Sequence, residues 1–395
     1  MIIEYNLMHS GHLRLLTETR ALLGPETAFV GVMSGNFVQR GDFAVVNRQA
    51  RARAAVESGV DLVLELPLPW AVSSAEGFAR GGVEVLEAAG VVTRLAFGSE
   101  CGETAPLLEA AACLNSPDYR AALRRRLDRG IPFAACRQAA VEELLGQPQA
   151  ALLESPNNNL GVEYCRALLE RNSPIRPLTI LRTGAPHDSA EAVGEYPSAS
   201  ALRALLRAGE REKALALMTP AMADAYREEE AAGRAPVLAE TCERAILARL
   251  RSMTAADFAA LDEGREGLGN RLYNAVRTSA TVEEILETAK TKRYAYARLR
   301  RMVLWAYLGL TPAQRPEHVP YLRVLAANET GRALLGRMRD TASVPVLTKP
   351  GHARRLDPEA QALFELEARA ADLYALAYPT LAAGSGAWRE GPVIR

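Results

Sequence analysis

The chain opens with Met1-Ile2-Ile3-Glu4-Tyr5-Asn6-Leu7-Met8-His9-Ser10-Gly11-His12, and this stretch decides how the rest is read. A short apolar run, Met1–Tyr5, gives way to a turn, and a helical pattern continues to Leu23. That is the strand, crossover loop and helix of a βα unit. Working outward, a second apolar run, Ala28–Met33, ends in the turn residues Ser34-Gly35-Asn36. A helix rich in Ala and Arg, Arg48 to Ser58, leads to a third buried-type strand, Asp61–Leu66, stopped by Pro67 and Pro69. A further helix, Ala75 to Ala89, precedes the run Arg94–Phe97, which Gly98 stops. Strands alternating with helices of about 10–15 residues predict an α/β fold, a parallel sheet with helices on both faces.

From Ala105 to Arg171 the pattern is helical, broken at Gly130-Ile131-Pro132 and at Ser155-Pro156-Asn157. Ile175–Leu181 resumes as a strand, followed by Arg182, and Tyr196-Pro197-Ser198 opens another helix with Ser198 and Ser200 as cap residues. Beyond about Leu206 every convincing segment is helical. The expected division is therefore residues 1–205 as an α/β domain and residues 206–395 as a mostly α-helical one, in keeping with a chain of 395 residues. Gly81-Gly82, inside a helical stretch, reads as close helix packing.

The chain is 49% hydrophobic and 24% charged, the composition of a soluble globular protein. No run of about 18 apolar residues is present, so no membrane helix and no membrane partner is expected. Met1-Ile2-Ile3 runs straight into Glu4 without a basic segment or cleavage site, which argues against a signal peptide. The five cysteines, Cys101, Cys113, Cys136, Cys165 and Cys242, show no metal-ligand spacing and read as small core residues in a reducing, cytoplasmic compartment. The net charge is zero, but between Lys290 and Arg355 there are 14 basic residues against 3 acidic ones. Such a window is a candidate footprint for a polyanion.

In an open parallel sheet, ligands bind outside the carboxyl ends of the strands, and the first crossover often carries a phosphate site. The helix starting near Gly11 offers free N–H groups and the positive end of its dipole. His9 and His12 add donors for phosphate oxygens, and Gly11 lets the backbone approach closely. By itself this HxGH segment fits either a nucleotide site or satisfied turn histidines. The chain contains no Walker A segment, no GxGxxG and no HExxH.

Further segments carry a resemblance. Glu4-Tyr5-Asn6, His9-Ser10-Gly11-His12, the run Val32-Met33-Ser34-Gly35-Asn36-Phe37-Val38-Gln39-Arg40-Gly41 and Asp61-Leu62-Val63-Leu64-Glu65-Leu66-Pro67 closely resemble the bacterial tRNA(Met) cytidine acetate ligases. So do Phe97-Gly98-Ser99-Glu100, Pro156-Asn157-Asn158, Arg182-Thr183-Gly184 with His187-Asp188, Ser198–Arg203, Tyr321–Leu325 and Thr348-Lys349-Pro350. The resemblance departs at Leu7-Met8, where the family usually has Pro-Phe, and at Ser10, where it has Asn. It implies a Rossmann-like parallel sheet of the HxGH nucleotidyltransferase type followed by a mostly helical domain. The implied reaction joins acetate to the wobble cytidine of elongator tRNA(Met), using ATP with Mg²⁺ and passing through acetyl-AMP.

Carried over residue by residue, the resemblance places ATP on the loop Ile3, Glu4, Tyr5, Asn6, Leu7, Met8, His9, Ser10, Gly11, His12, Leu13, Arg14, Leu15 and Leu16, with Gly98, Asn157, Asn158 and Arg182. The segment Ser198–Arg203, with Ser198, Ser200 and the cation Arg203, looks like a second phosphate-binding element of this superfamily. Catalytic work would fall to His9, His12, Arg182 and Arg203, and no protein metal ligands are expected. Gln39-Arg40-Gly41, after the second strand, faces the ligand side of the sheet. Arg293, Arg298, Arg300 and Arg301, interleaved with Tyr294 and Tyr296 and followed by Trp305, read as an RNA surface together with Arg323 and Lys349. Two other readings stay open on the residues: adenylation of a small phosphorylated metabolite, and a non-catalytic RNA-binding protein with a relic site. The first has no use for the basic window, and the second has no reason to keep all of His9, Gly11, His12, Arg182 and Arg203.

Overall fold

A computed structural model describes residues 1–127, 132–182, 197–265 and 267–395. Thr183, Gly184, His187, Asp188, Tyr196 and the Gly130-Ile131 break lie outside the described residues. The main sheet runs in the order β1 (Ile2–Ile3), β2 (Val30–Ser34), β5 (Leu62–Leu66), β8 (Leu322–Ala327), β10 (Val393–Ile394), with β9 (Val346–Leu347) also on β8. β1, β2 and β5 are parallel, with Ile2 opposite Val32 and Val30 opposite Leu62. Every residue of β2 and β5 is buried, the pattern of strands covered by helices on both faces. β6 (Arg94–Ser99) and β7 (Arg176–Leu181) form a separate parallel ladder, and β3 (Phe37–Val38) and β4 (Asp42–Phe43) a short antiparallel hairpin. The α/β class with a mainly parallel sheet is as expected.

The sheet crosses the boundary expected at residues 205/206. β8 lies antiparallel against β5 in its middle, and β10 lies parallel against β8. Leu322-Arg323-Val324-Leu325-Ala326-Ala327 is buried at every position, so the second half contributes core strand as well as helix. The helix Pro358–Ala375 then docks on the first half: Glu367 accepts the Leu68 N–H at 3.0 Å and the Tyr321 hydroxyl at 2.7 Å, and the Tyr374 hydroxyl donates to the Ala44 carbonyl at 2.7 Å.

Two glycines explain how closely the layers approach. A Cβ on Gly81 would fall 2.4 Å from Trp70, and one on Gly82 would fall 2.5 Å from Ile2. Cys113, Cys136, Cys165 and Cys242 are buried thiols, and burial pushes Cys165 up to about 12. No helix among the described residues is long and apolar enough to cross a membrane.

The run Met33–Gly41 is built around a buried arginine. Arg51, on α2 (Arg48–Glu57), is fully buried and donates to the carbonyls of Glu4, Ser34, Gly35 and Val46, gathering the carboxyl ends of β1 and β2. Burial lowers its guanidinium to about 10. Gly35 has no room for a side chain, because a Cβ would stand 2.5 Å from Glu65 Oε1, which accepts Arg48 Nη1 at 2.9 Å.

Candidate functional site

The first crossover leads into α1 (Ser10–Leu23), whose amino end is capped by its two histidines. His9 is the N-cap, in extended backbone, and its Nδ1 accepts the Gly11 N–H at 3.2 Å. His12 turns its Nδ1 back to accept the His9 N–H, also at 3.2 Å. This is a capping box with imidazoles standing where Ser or Thr and Glu or Gln are usual. The rings lie 3.9 Å apart, and Tyr5 packs on His12 with ring centres at 4.9 Å. A neutral imidazole that accepts at Nδ1 carries its proton on Nε2. Each ring therefore holds the backbone with one nitrogen and presents an N–H with the other.

His9, Gly11, His12, Arg14 and Leu15 line a cleft together with Gly98, Ile180, Leu181, Arg182 and Pro197. Helix start and the ends of β6 and β7 meet here, at the carboxyl edge where a parallel fold binds ligands. Its described lining includes two imidazoles and two guanidiniums and no carboxylate, so the field suits a polyphosphate.

Gly98 and Arg182 are paired by packing. Their strands are in register through Gly98 and Ile180, and the Arg182 N–H bonds the Ser99 carbonyl at 2.8 Å. A Cβ on Gly98 would fall 2.9 Å from Arg182 Cγ, so the glycine leaves passage for the arginine stem. Asn157 and Asn158 open the helix Pro156–Glu170. Glu100 accepts both of their backbone N–H groups, at 3.2 and 2.6 Å, and the Asn157 amide at 2.7 Å. The Asn158 side chain is buried and accepts the Cys101 N–H at 3.0 Å, so of the two Asn157 is the better placed to reach a ligand.

On the helix Ala199–Arg207, Ser198 is buried and its hydroxyl caps the Ala201 N–H at 3.0 Å. Arg203 donates to the Asn6 carbonyl at 2.6 Å and to the Ser200 hydroxyl at 3.0 Å, which ties this helix to the first loop. Burial pushes its guanidinium down, partly opposed by Asp42 and Glu4.

The segment Ile3 to Leu16 thus divides. Ile3, Tyr5, Leu7, Met8 and Leu16 are buried in an apolar core, and the Asn6 side chain accepts the Val45 N–H at 2.8 Å. Their side chains shape the loop from behind. Leu7 and Met8, which replace the usual Pro-Phe, are fully buried, so the departure is a change of core packing. Ser10 is exposed and Leu13 half-buried. Ile180, Leu181 and Pro197 line the cleft without having been expected; the rule that sites gather at carboxyl ends of strands would have found the first two.

The expected RNA surface needs correction. Arg301 is buried, with a bidentate ion pair to Glu263 whose second contact is 3.0 Å, and Arg298 donates to the Glu263 carbonyl at 3.0 Å. Arg323 is buried against Glu65 at 3.5 Å and donates to the Ala387 carbonyl at 2.9 Å. A buried charge persists when paired and hydrogen-bonded, and Arg301 and Arg323 are both held in that way. Tyr294 and Trp305 are buried as well, the latter donating to the Val72 carbonyl at 2.8 Å, and Tyr296 donates to Glu283 at 2.6 Å. Arg293 and Lys349 are exposed, and Arg300 is half-exposed over the Tyr296 ring at 5.0 Å.

Comparison with known proteins adds the chemistry. A family model described as HIGH Nucleotidyl Transferase matches residues 1–386. A tRNA(Met) cytidine acetate ligase from Acetivibrio thermocellus is 36% identical over 96% of this chain and 94% of its own length. One from Syntrophomonas wolfei matches at the same identity and coverage. Thermotoga maritima TmcAL, crystallised with alpha-thio ATP, superposes with a TM-score of 0.93 at 32% identity, covering 100% of this chain and 98% of that one. The apo form of that protein gives 0.95 at 31% identity. A capped HxGH helix start, an opposing Arg182 and similarity over nearly the full length lead to one conclusion: the chain belongs to the HIGH nucleotidyl transferase family and, within it, to the tRNA(Met) cytidine acetate ligases.

Proposed function

We propose that this protein is an ATP-dependent ligase that activates acetate as acetyl-AMP and transfers the acetyl group to the N4 amine of the wobble cytidine of elongator tRNA(Met). The observation that carries the reading is the histidine capping box at the start of α1, whose two histidines line one cleft with Arg182. The named relatives support the acceptor and the acid.

Acetate is already ionised at neutral pH, its pKa lying near that of other carboxyls, about 4. Its attack on the α-phosphate needs no base; it needs two anions aligned and the departing pyrophosphate stabilised. His9, His12, the free N–H groups at the start of α1, and Arg182 supply donors for phosphate oxygens. Arg203 holds the loop that carries the histidines. Mg²⁺ accompanying ATP would ride on its phosphates and water. In the second half-reaction a base from the single-stranded anticodon loop is splayed into the site, at little cost for an unpaired nucleotide. Arg293 and Lys349 are the exposed basic side chains of the expected surface, and Arg300 is half-exposed.

The test is incubation with ATP, labelled acetate and bulk tRNA, followed by digestion to nucleosides. Label in cytidine is the expected result. Acetate-dependent ATP–pyrophosphate exchange without label in RNA would overturn the acceptor.

A further inference from the structure

Ion pairs with Glu263 and Glu65 take up Arg298, Arg301 and Arg323, but a second group of cations is not neutralised in this way. Lys349, Arg354 and Arg355 lie at the short helical turn Pro350–Arg355, and Arg389 ends the helix Gly386–Arg389. All four are exposed, and none forms an ion pair among the described residues. The neighbouring acids are not their partners: Asp357 caps the Ala360 N–H at 2.9 Å, and Glu359 and Glu390 point to solvent as exposed side chains. Arg354 lies over the Trp388 ring at 5.2 Å, Trp388 packs edge-on against Phe364 at 4.6 Å, and the buried Arg323 stands over Phe364 at 4.9 Å. Arg389 donates to the carbonyls of Gly384 and Ser385. Arg354 and Arg389 are thus held before any partner arrives, which lowers the ordering cost of binding.

The sheet fixes where this patch stands. β8 runs antiparallel to β5, with Val324 opposite Leu64, so it begins at the carboxyl ends of the parallel strands. β9, which leads into Lys349, pairs Val346 with Leu322 and Leu347 with Arg323 at that same end. Arg323 also donates to the Ala387 carbonyl, next to Trp388. The patch therefore hangs on the edge of the sheet that carries the cleft. β8 is three strands along from β1, which leads into the histidine loop. At about 4.8 Å per strand that is roughly 14 Å.

Resting on the function proposed above, we propose that Lys349, Arg354, Arg355 and Arg389 grip the phosphate backbone of the paired anticodon stem while the splayed base occupies the cleft. At about 3.4 Å per nucleotide along a strand, 14 Å is roughly four nucleotides, which leads from the wobble position out of the loop and into the stem. Duplex RNA is met mainly through its shape and its phosphates, the partners that exposed cations suit. Contacts of this kind fix position and affinity and carry no base information. The patch accordingly serves all tRNAs alike, and the choice of cytidine is made elsewhere.

The experiment compares the full-length protein with two triple variants, Arg354→Gln with Arg355→Gln and Arg389→Gln, and the same three positions changed to Lys. Affinity is measured against salt for elongator tRNA(Met), for a tRNA without cytidine at the wobble position, and for a linear oligonucleotide of the tRNA(Met) anticodon loop. Each lost phosphate contact lowers the slope of log affinity against log salt by about 0.7–0.9. The Gln variant therefore loses about 2–3 from the slope on both tRNAs and nothing on the oligonucleotide, and the Lys variant keeps the wild-type slopes. A Gln variant with the wild-type slope on tRNA overturns the proposal, and so does an equal loss on the oligonucleotide. A loss that the Lys variant reproduces overturns it as well, since the arginines would then act through the fold. Labelled cytidine formed by a wild type whose tRNA affinity is indifferent to salt overturns this surface and leaves the reaction standing. A patch-dependent slope without labelled cytidine overturns the reaction instead.

Discussion

Replacing His12 by Gln separates the two jobs the imidazole performs. His12 Nδ1 accepts the His9 N–H at 3.2 Å, the reciprocal arm of the capping box, and the residue lines the cleft. Gln at the third helical position is a natural partner for that arm, so His12→Gln keeps the cap while a flexible amide N–H replaces the preorganised imidazole donor. His12→Ala removes both. Losing a cap costs about 1 kcal/mol, a melting shift of about 2 °C in a chain of this size. Losing one preorganised donor to a developing charge costs about 3 kcal/mol, or about 10²-fold in rate. Calorimetry should therefore place His12→Gln near wild type and His12→Ala below it. Both variants should lose about 10²-fold or more in acetate-dependent ATP–pyrophosphate exchange. A Gln variant with near-wild-type exchange would show that no preorganised imidazole donor is needed at ATP. A Gln variant as unstable as Ala would show that the histidine cap is not what holds the start of α1.

Three other outcomes test the frame around the site. Gly35→Ala forces its Cβ to 2.5 Å from Glu65 Oε1 and pushes the carboxylate off Arg48, so urea unfolding should show a loss of about 3–5 kcal/mol; a loss under about 1 kcal/mol contradicts the packing. Arg293→Ala and Lys349→Ala should each reduce the slope of log tRNA affinity against log salt by about 0.7–0.9, whereas Arg323→Ala should lower the melting temperature and leave the slope unchanged. Glu367 is raised to about 7, chiefly by burial and by Glu65. A group raised on folding contributes stability that is complete below its unfolded pKa, near the ordinary carboxyl value of 4.5, and lost as pH rises through about 7. Relative to Glu367→Gln, the wild-type melting temperature should therefore fall across that window; parallel curves would show that Glu367 does not titrate there.

How much of this was legible in the sequence depended on distance along the chain. β2 and β5 are unbroken apolar runs bounded by turn residues, which local pattern detects. β8 escaped because Leu322–Ala327 mixes leucine, alanine and one arginine, a composition helices share, and because the strand that stabilises it lies in the first hundred residues. The histidine cap is local and could be read as a nucleotide-binding turn. The passage Gly98 leaves for Arg182 is not local, and on the residues nothing joined them. The basic window misled for the same reason. Counting charge from Lys290 to Arg355 omits Glu263, which neutralises Arg301 and Arg298 from outside the window, and Glu65, which neutralises Arg323 from another strand. Arginines in a basic stretch mark a surface only after their partners elsewhere are known.

The cap also constrains how the site can use charge. A doubly protonated imidazole has no acceptor nitrogen. Protonating either His9 or His12 would attract phosphate more strongly but would turn the Nδ1 that holds a backbone N–H into a competing donor. Neutral rings keep the start of α1 intact and still offer one donor each. Permanent positive charge must then come from groups whose protonation does not vary near neutral pH, and Arg182 and Arg14 in the cleft lining, with Arg203 behind the loop, are of that kind. At this helix start each histidine holds a backbone N–H through Nδ1, so a second proton on the ring cannot be added without disturbing the cap.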